Sequence, residues 1–174
     1  LGQPLHAFDL DQVAGKKIIV ESITEELKFT TLDSKERILP KGTMMICDGK
    51  REVAIAGVMG GENSEVTEST KNILIESAYF NPASIRRTCK KLQLATDSSY
   101  RFERGTDPSN TVYAAQRAAQ IIASIASGEI AKGVIDEYPV KIKQKEVTFR
   151  FSRMKKLLGY EIPKADVIKV FQKL

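Results

Sequence analysis

A chain of 174 residues, 42% hydrophobic and 28% charged, has material for one medium domain with a real core, or for one domain and the start of another. No apolar run approaches the roughly 20 residues of a membrane span, and no basic-then-apolar signal peptide opens the chain, so no membrane partner is expected. The net charge of +5, with a pI near 9.1, suits a polyanionic partner and plain solubility alike.

Residues 1–9, LGQPLHAFD, read as an irregular segment in which Pro4 pushes Gln3 into an extended conformation. A start at Leu1 rather than Met suggests an excised piece. His6 is the single histidine, which excludes a multi-histidine metal site and leaves any Ser-His-Asp triad one imidazole. Between Leu5 and Ala7, near Phe8, and taken alone, it reads first as a packed ring bonded to backbone. Lys16–Ile23 is predicted as a strand with Leu27–Leu32 as its partner. Thr43–Asp48 and Arg51–Val58 flank Asp48-Gly49, a good hairpin signal. The two cysteines, Cys47 and Cys89, lack C-x-x-C spacing, so free thiols in a reducing cytosol are expected.

The stretch Ala54–Phe80 opens as an apolar strand, breaks at Gly57, Gly60 and Gly61, and closes in a second strand with Glu76 at its middle. Alternation puts Glu76 on one face with Leu74, Ala78 and Phe80, where a carboxylate must find donors or shift its pKa upward. Glycines let backbone approach a ligand closely, so the stretch suggests a glycine-lined wall facing a buried acid. A strand Glu is also at home at a sheet edge or in an ion pair, and a glycine loop is often a plain turn. The loop has neither a Walker ending nor a dinucleotide fingerprint.

After Phe80 the period changes. Asn81-Pro82 reads as an N-cap and first helical residue, and Ile85, Thr88, Cys89 and Leu92 form a buried stripe. Arg86, Arg87, Lys90 and Lys91 take the remaining surface, with no acid between Ser77 and Thr96. A one-sign face suits phosphate contact, though it is also what a solvated helix would show. Thr96–Gly105 reads as a polar loop. Asp107-Pro108 is expected to cap a long helix to about Ala126, closed by Gly128, with Ala114, Ala115, Ala118, Ala119, Ile122 and Ile125 packing closely. A boundary is expected near Tyr138–Gln144. Beyond it come a strand over EVTFRF with Val147, Phe149 and Phe151 on one face, and a helix capped by Ser152 and ending at Gly159. A second helix begins at Pro163 with Val167, Val170, Phe171 and Leu174 inward. The expected class is α+β, mainly antiparallel sheets packed against helices, with residues 1–139 as the main domain and 140–174 as the truncated start of the next.

Four stretches in this order, GQPLHAFD, GVMGGENSEV, NILIESAYFNP and RFERGTDP, resemble the beta subunit of bacterial phenylalanyl-tRNA synthetase, and the resemblance covers essentially the whole chain. It implies an editing domain that hydrolyses tyrosine wrongly joined to tRNA(Phe), with His6 and Glu76 as the principal editing residues. Gly57 and Gly60 would line the pocket, and Thr96 and Ser98 would stand near the bound amino acid. The resemblance further implies a whole enzyme of two alpha and two beta chains, cytoplasmic, using ATP and magnesium, with no cofactor in this segment. The family commonly reads T-[DE]-A-S-H-R where this chain has TDSSYR, so Ser98 and Tyr100 alter the pocket rim. Family editing residues just upstream would precede Leu1. A tRNA-binding or scaffolding module without hydrolytic competence is the competing reading, which the basic face of Arg86, Arg87, Lys90 and Lys91 suits equally.

Overall fold

The computed structural model describes residues 2–143 and 146–173, so Leu1, Gln144 and Leu174, each part of an expectation above, lie outside the described residues. It divides into two compact units, Leu1–Glu137 and Tyr138–Leu174. The class is α+β, as expected.

The first unit holds three antiparallel sheets. His6–Asp9 (β1) pairs with Ile73–Glu76 (β8); Ile19–Ser22 (β2), Met44–Cys47 (β5), Glu52–Ile55 (β6) and Met59–Gly60 (β7) form a four-stranded sheet in that order; Leu27–Thr30 (β3) pairs with Glu36–Leu39 (β4). Two expectations are corrected here. The opening segment is not wholly irregular, because HAFD finds ladder partners in β8, far along the chain, which no local signal reveals. The partner of β2 is β5, with Ile19 opposite Cys47, and β3 folds back on β4 instead. The turn between β3 and β4 explains this: Ser34 takes a left-handed φ of 55°, and Asp33 holds Arg37 through paired hydrogen bonds of 2.7 and 2.8 Å.

The expected hairpin joins β5 to β6. Its turn is built by Asp48, whose carboxylate accepts from the N–H groups of Ala14, Lys50 and Arg51 at 2.7–3.0 Å. The inward faces of the strands supply the core: Phe8, Phe29, Leu39, Met45, Ile46, Val53 and Ile55 are buried.

Pro82–Leu92 (α1) begins as its sequence predicts, with the Asn81 side chain accepting from Ala83 and Ser84 N–H. Ile85 and Thr88 are buried, and Cys89 and Leu92 pack at the margin of the core. The polar loop expected over Thr96–Gly105 is largely a helix, Asp97–Phe102 (α2). Thr96 and Ser99 form a reciprocal capping box, the T-x-x-S signal overlooked in a stretch judged by polarity. Phe102 then joins Phe80 edge-to-face, centroids 4.9 Å apart. The long helix starts later than expected: Asp107 caps a 3-10 turn over Pro108–Asn110, and Thr111–Ala126 (α3) follows. Ser127 takes the left-handed C-cap, while Gly128 donates to Ala123 O. Ala114 is buried, but Ile125 is exposed rather than packed.

The second unit contains Phe151–Leu158 (α4) and Lys164–Phe171 (α5). Residues 146–150 form no strand; Val147 is exposed, and Phe149 packs edge-to-face on Phe151 and Phe171. Phe151 belongs to α4, so Ser152 lies inside the helix; the helix ends at Gly159 as expected, with that C-cap in the left-handed region. On α5 only Val167 is buried, and Val170 and Phe171 are exposed. No helix among the described residues is long and apolar enough to cross a membrane.

Candidate functional site

Antiparallel pairing sets His6 opposite Glu76 and Phe8 opposite Leu74. Directly opposed residues share a face with Cβ atoms about 5 Å apart, so the lone imidazole and the strand acid stand side by side. Their face is the one carrying Phe8, which is fully buried, and Leu74, which packs on the core. The His6 ring meets Phe8 edge-on at 4.4 Å. Its Nε2 is buried and has no hydrogen-bond partner among the described residues, and burial lowers its pKa from the ordinary value. Burial thus favours the neutral imidazole. Glu76 is half-buried, and desolvation, with no opposing charge or donor among the described residues, pushes its carboxyl up to about 7.

Gly60 makes this packing possible. A Cβ there would lie 2.5 Å from His6 Cε1, 2.8 Å from Nε2 and 3.0 Å from Leu32 Cδ1. Gly57 serves otherwise. Its φ of +68° is left-handed, and a Cβ on it would strike Phe80, Ile85 and Phe102 in the core. The Gly57–Val58 turn meets α2 through its carbonyls, where Thr96 Oγ1 donates to Val58 O at 2.8 Å and Ser98 Oγ to Gly57 O at 3.3 Å. The N–H groups of Val58 and Gly61 are taken up by the Ile55 and Val53 carbonyls, so these two have no free hydrogen for an oxyanion.

The structure thus brings His6, Glu76 and Gly60 together, and joins Thr96 and Ser98 to the same glycine loop at Gly57–Val58. Arg86, Arg87, Lys90 and Lys91 occupy a separate place, the exposed face of α1, where Arg86 donates to Glu103 O at 3.1 Å. Both cysteines are free. Burial, then the charges of Glu21 and Glu52, push the Cys47 thiol up to about 11, which disfavours a nucleophilic thiolate. Among the described residues no three His, Cys, Asp or Glu side chains are grouped to hold a metal ion.

The family described as B3/4 domain matches residues 1–127. The chain belongs to the B3/4 domain family. It is 53% identical over 162 residues to the phenylalanine--tRNA ligase beta subunit of Salinibacter ruber, covering 93% of this chain and 20% of that protein. Proteins of the same description from Geobacter metallireducens and Syntrophus aciditrophicus are each 49% identical over 173 and 175 residues, covering 99% and 100% of this chain and 22% of theirs. The chain spans about a fifth of the length of these curated relatives.

Within this B3/4 domain two neighbours of the site escaped the sequence reading. Gln3 Nε2 donates to Ala78 O at 2.7 Å, tying the segment before His6 to the segment after Glu76. Leu32 closes over Gly60 and donates its N–H to Gly60 O at 3.0 Å. A Gln before Pro is a weak signal for such a tie, and Leu32 carries none at all.

Proposed function

We propose that this B3/4 domain hydrolyses the ester of tyrosine wrongly attached to tRNA(Phe), with Glu76 recognising the side chain and His6 acting at the ester. The observation that carries the reading is the His6–Glu76 pair, two titratable groups on one face with no hydrogen-bond partner for His6 Nε2 or the Glu76 carboxylate among the described residues. Tyrosine and phenylalanine differ by one hydroxyl. A tyrosine O–H reaching Glu76 gives the desolvated carboxylate a donor, whereas a phenyl ring leaves it unpaired, a difference of about 1–3 kcal/mol. Above a pH of about 7 the carboxylate is mostly ionised, and the penalty for phenylalanine is then greatest.

The imidazole of His6, in the neutral form that burial favours, is the group that orients or deprotonates an attacking water. Gly60 shapes the floor under the imidazole, and the Thr96 and Ser98 bonds hold the adjoining turn. Oxyanion stabilisation falls to loop donors other than Val58 and Gly61.

The beta-subunit names of the relatives support placement within a synthetase that joins phenylalanine to tRNA(Phe) together with an alpha subunit, in an alpha2beta2 enzyme. ATP and magnesium would serve that larger enzyme; this sequence has no phosphate-loop motif, and no step runs through them here. Comparing deacylation of tyrosyl- and phenylalanyl-tRNA(Phe) by the parent, His6→Ala and Glu76→Ala chains tests the reading. Preferential release of tyrosine that disappears in Glu76→Ala supports it. Equal, slow release in all three overturns it. The basic face of α1 favours a second reading, tRNA binding without turnover, which predicts steeply salt-dependent binding and no hydrolysis.

A further inference from the structure

The strand β2 ends its sheet: β5 lies along one edge, and no strand among the described residues lies along the other. The ladder fixes where its backbone groups point. Ile23 N–H donates to Thr43 O at 3.0 Å and Ala56 N–H to Met44 O at 3.0 Å, so Thr43 and Met45 turn their backbone groups to β2 and Met44 turns its own to β6. Ile19, Glu21 and Ile23 therefore bond to β5. By alternation, Ile18, Val20 and Ser22 direct their N–H and C=O groups out of the sheet. Lys17 ahead of them is extended, with φ −117° and ψ 145°, so strand conformation reaches back beyond the first residue of β2. The open edge is also apolar: Ile18, Ile19 and Val20 are exposed, Val20 to 56%. An unpaired apolar edge is a template for another strand.

Charge says which strand it fits. Lys17 and Glu21 share a face with Ile19 midway between them, both are exposed, and neither forms an ion pair among the described residues. We propose that two copies of this chain pair antiparallel through the free edge of β2, with Ile19 on the two-fold axis. Lys17 of each copy then stands opposite Glu21 of the other, and Ile18 opposite Val20. The Ile18–Val20 pairs exchange the outward N–H and C=O groups. The Lys17–Glu21 pairs fall at the non-hydrogen-bonded positions, where facing side chains approach most closely. An axis moved one residue, to Val20, would set Glu21 against Ile19 and Lys17 against Ile23, so the charges select the register. The contact uses the same patch on both copies and closes as a dimer. A ladder this short buries well under the roughly 1,200 Å² of a stable interface, so the dimer is weak and forms at high concentration. The pairing makes no use of His6 or Glu76 and stands apart from the ester-hydrolysis reading.

Sedimentation velocity of the 174-residue chain, from about 10 μM to about 1 mM, reads the pairing. A reversible dimer at the upper end is expected, and a monomer throughout overturns the proposal. Lys17→Glu and Glu21→Lys, both at exposed positions, should each weaken association about tenfold by setting like charges opposite one another. Lys17→Glu combined with Glu21→Lys restores opposite charges in the same register and should return association to within about threefold of the parent. Val20→Pro removes an outward N–H and leaves the bonds to β5 in place, so it should abolish the dimer. If circular dichroism shows that this variant does not fold, the charge-reversal series, which alters no backbone group, decides the matter alone. A dimer that survives Val20→Pro, or that ignores both single reversals, forms elsewhere on the surface and overturns the proposal. Failure of the double reversal to recover association overturns it too.

Discussion

Two acids withdrawn from solvent in the same unit meet opposite fates. Asp48 is 2% exposed; burial pushes its pKa up, yet N–H donors from Ala14, Lys50 and Arg51, with the Arg51 charge, outweigh burial and hold it below the ordinary value. Glu76 keeps more exposure but has no donor among the described residues, and desolvation alone raises it to about 7. The difference lies in what the backbone around each can offer. A turn presents converging N–H groups, whereas a strand directs its N–H groups into the ladder and away from its side chains. Asp48 is a finished structural joint. Glu76 is an acceptor left open, at a stability cost that a structural role would not require.

The sharpest way to break this contrast is to remove the structural acid. Asp48→Ala leaves three N–H groups without their acceptor and should cost about 3 kcal/mol in urea unfolding. Glu76→Gln, under the same conditions at pH 8, should be neutral or stabilising, and a comparable loss in both would erase the distinction. Next in size is function. Glu76→Ala should lower the tyrosine-over-phenylalanine deacylation ratio by about 10- to 100-fold, read on charged tRNA(Phe).

The pH dependences should run in opposite directions. The folded pKa of Glu76 lies above its unfolded value of 4.5, so its contribution is fully present below 4.5 and is lost as pH rises through about 7. After allowance for partial exposure this amounts to about 2 kcal/mol, and it should vanish in Glu76→Gln. Asp48 is depressed, so its contribution is present above 3.8 and is lost as pH falls through its lower folded value; Asp48→Asn should flatten that acid limb. Unfolding free energies between pH 3 and 8 would read both, over the range set by these ordinary carboxylate values. The smallest effect belongs to Ser98→Ala, which removes a 3.3 Å bond to Gly57 O and should cost about 0.5–1 kcal/mol, with a modest change in deacylation.

Much of the local structure was legible from residue order. Asn81-Pro82 announced α1, Asp48-Gly49 announced the β5–β6 turn, and the glycine and acid pattern of Ala54–Phe80 marked the stretch that carries Gly60 and Glu76 of the candidate site. Errors gathered where a choice depended on distant partners or on a signal masked by polarity. The β2 strand was assigned its neighbour in sequence, and α2 was taken for a loop despite its T-x-x-S cap. Ile125 looked like core because its helix is apolar, but nothing buries that turn.

The sequence by itself determined which residues are candidates for chemistry: one histidine, one acid in an apolar strand, a glycine loop and a basic helix face. Only the tertiary structure decided that His6 and Glu76 are cross-strand neighbours, that Gly60 supports the imidazole, and that Gly57 faces the core. The physical reason is the range of the forces involved. Caps, turns and helical stripes are settled within a few residues by their own hydrogen bonds and side chains. Strand register and the desolvation of a carboxylate depend on segments brought together from far along the chain.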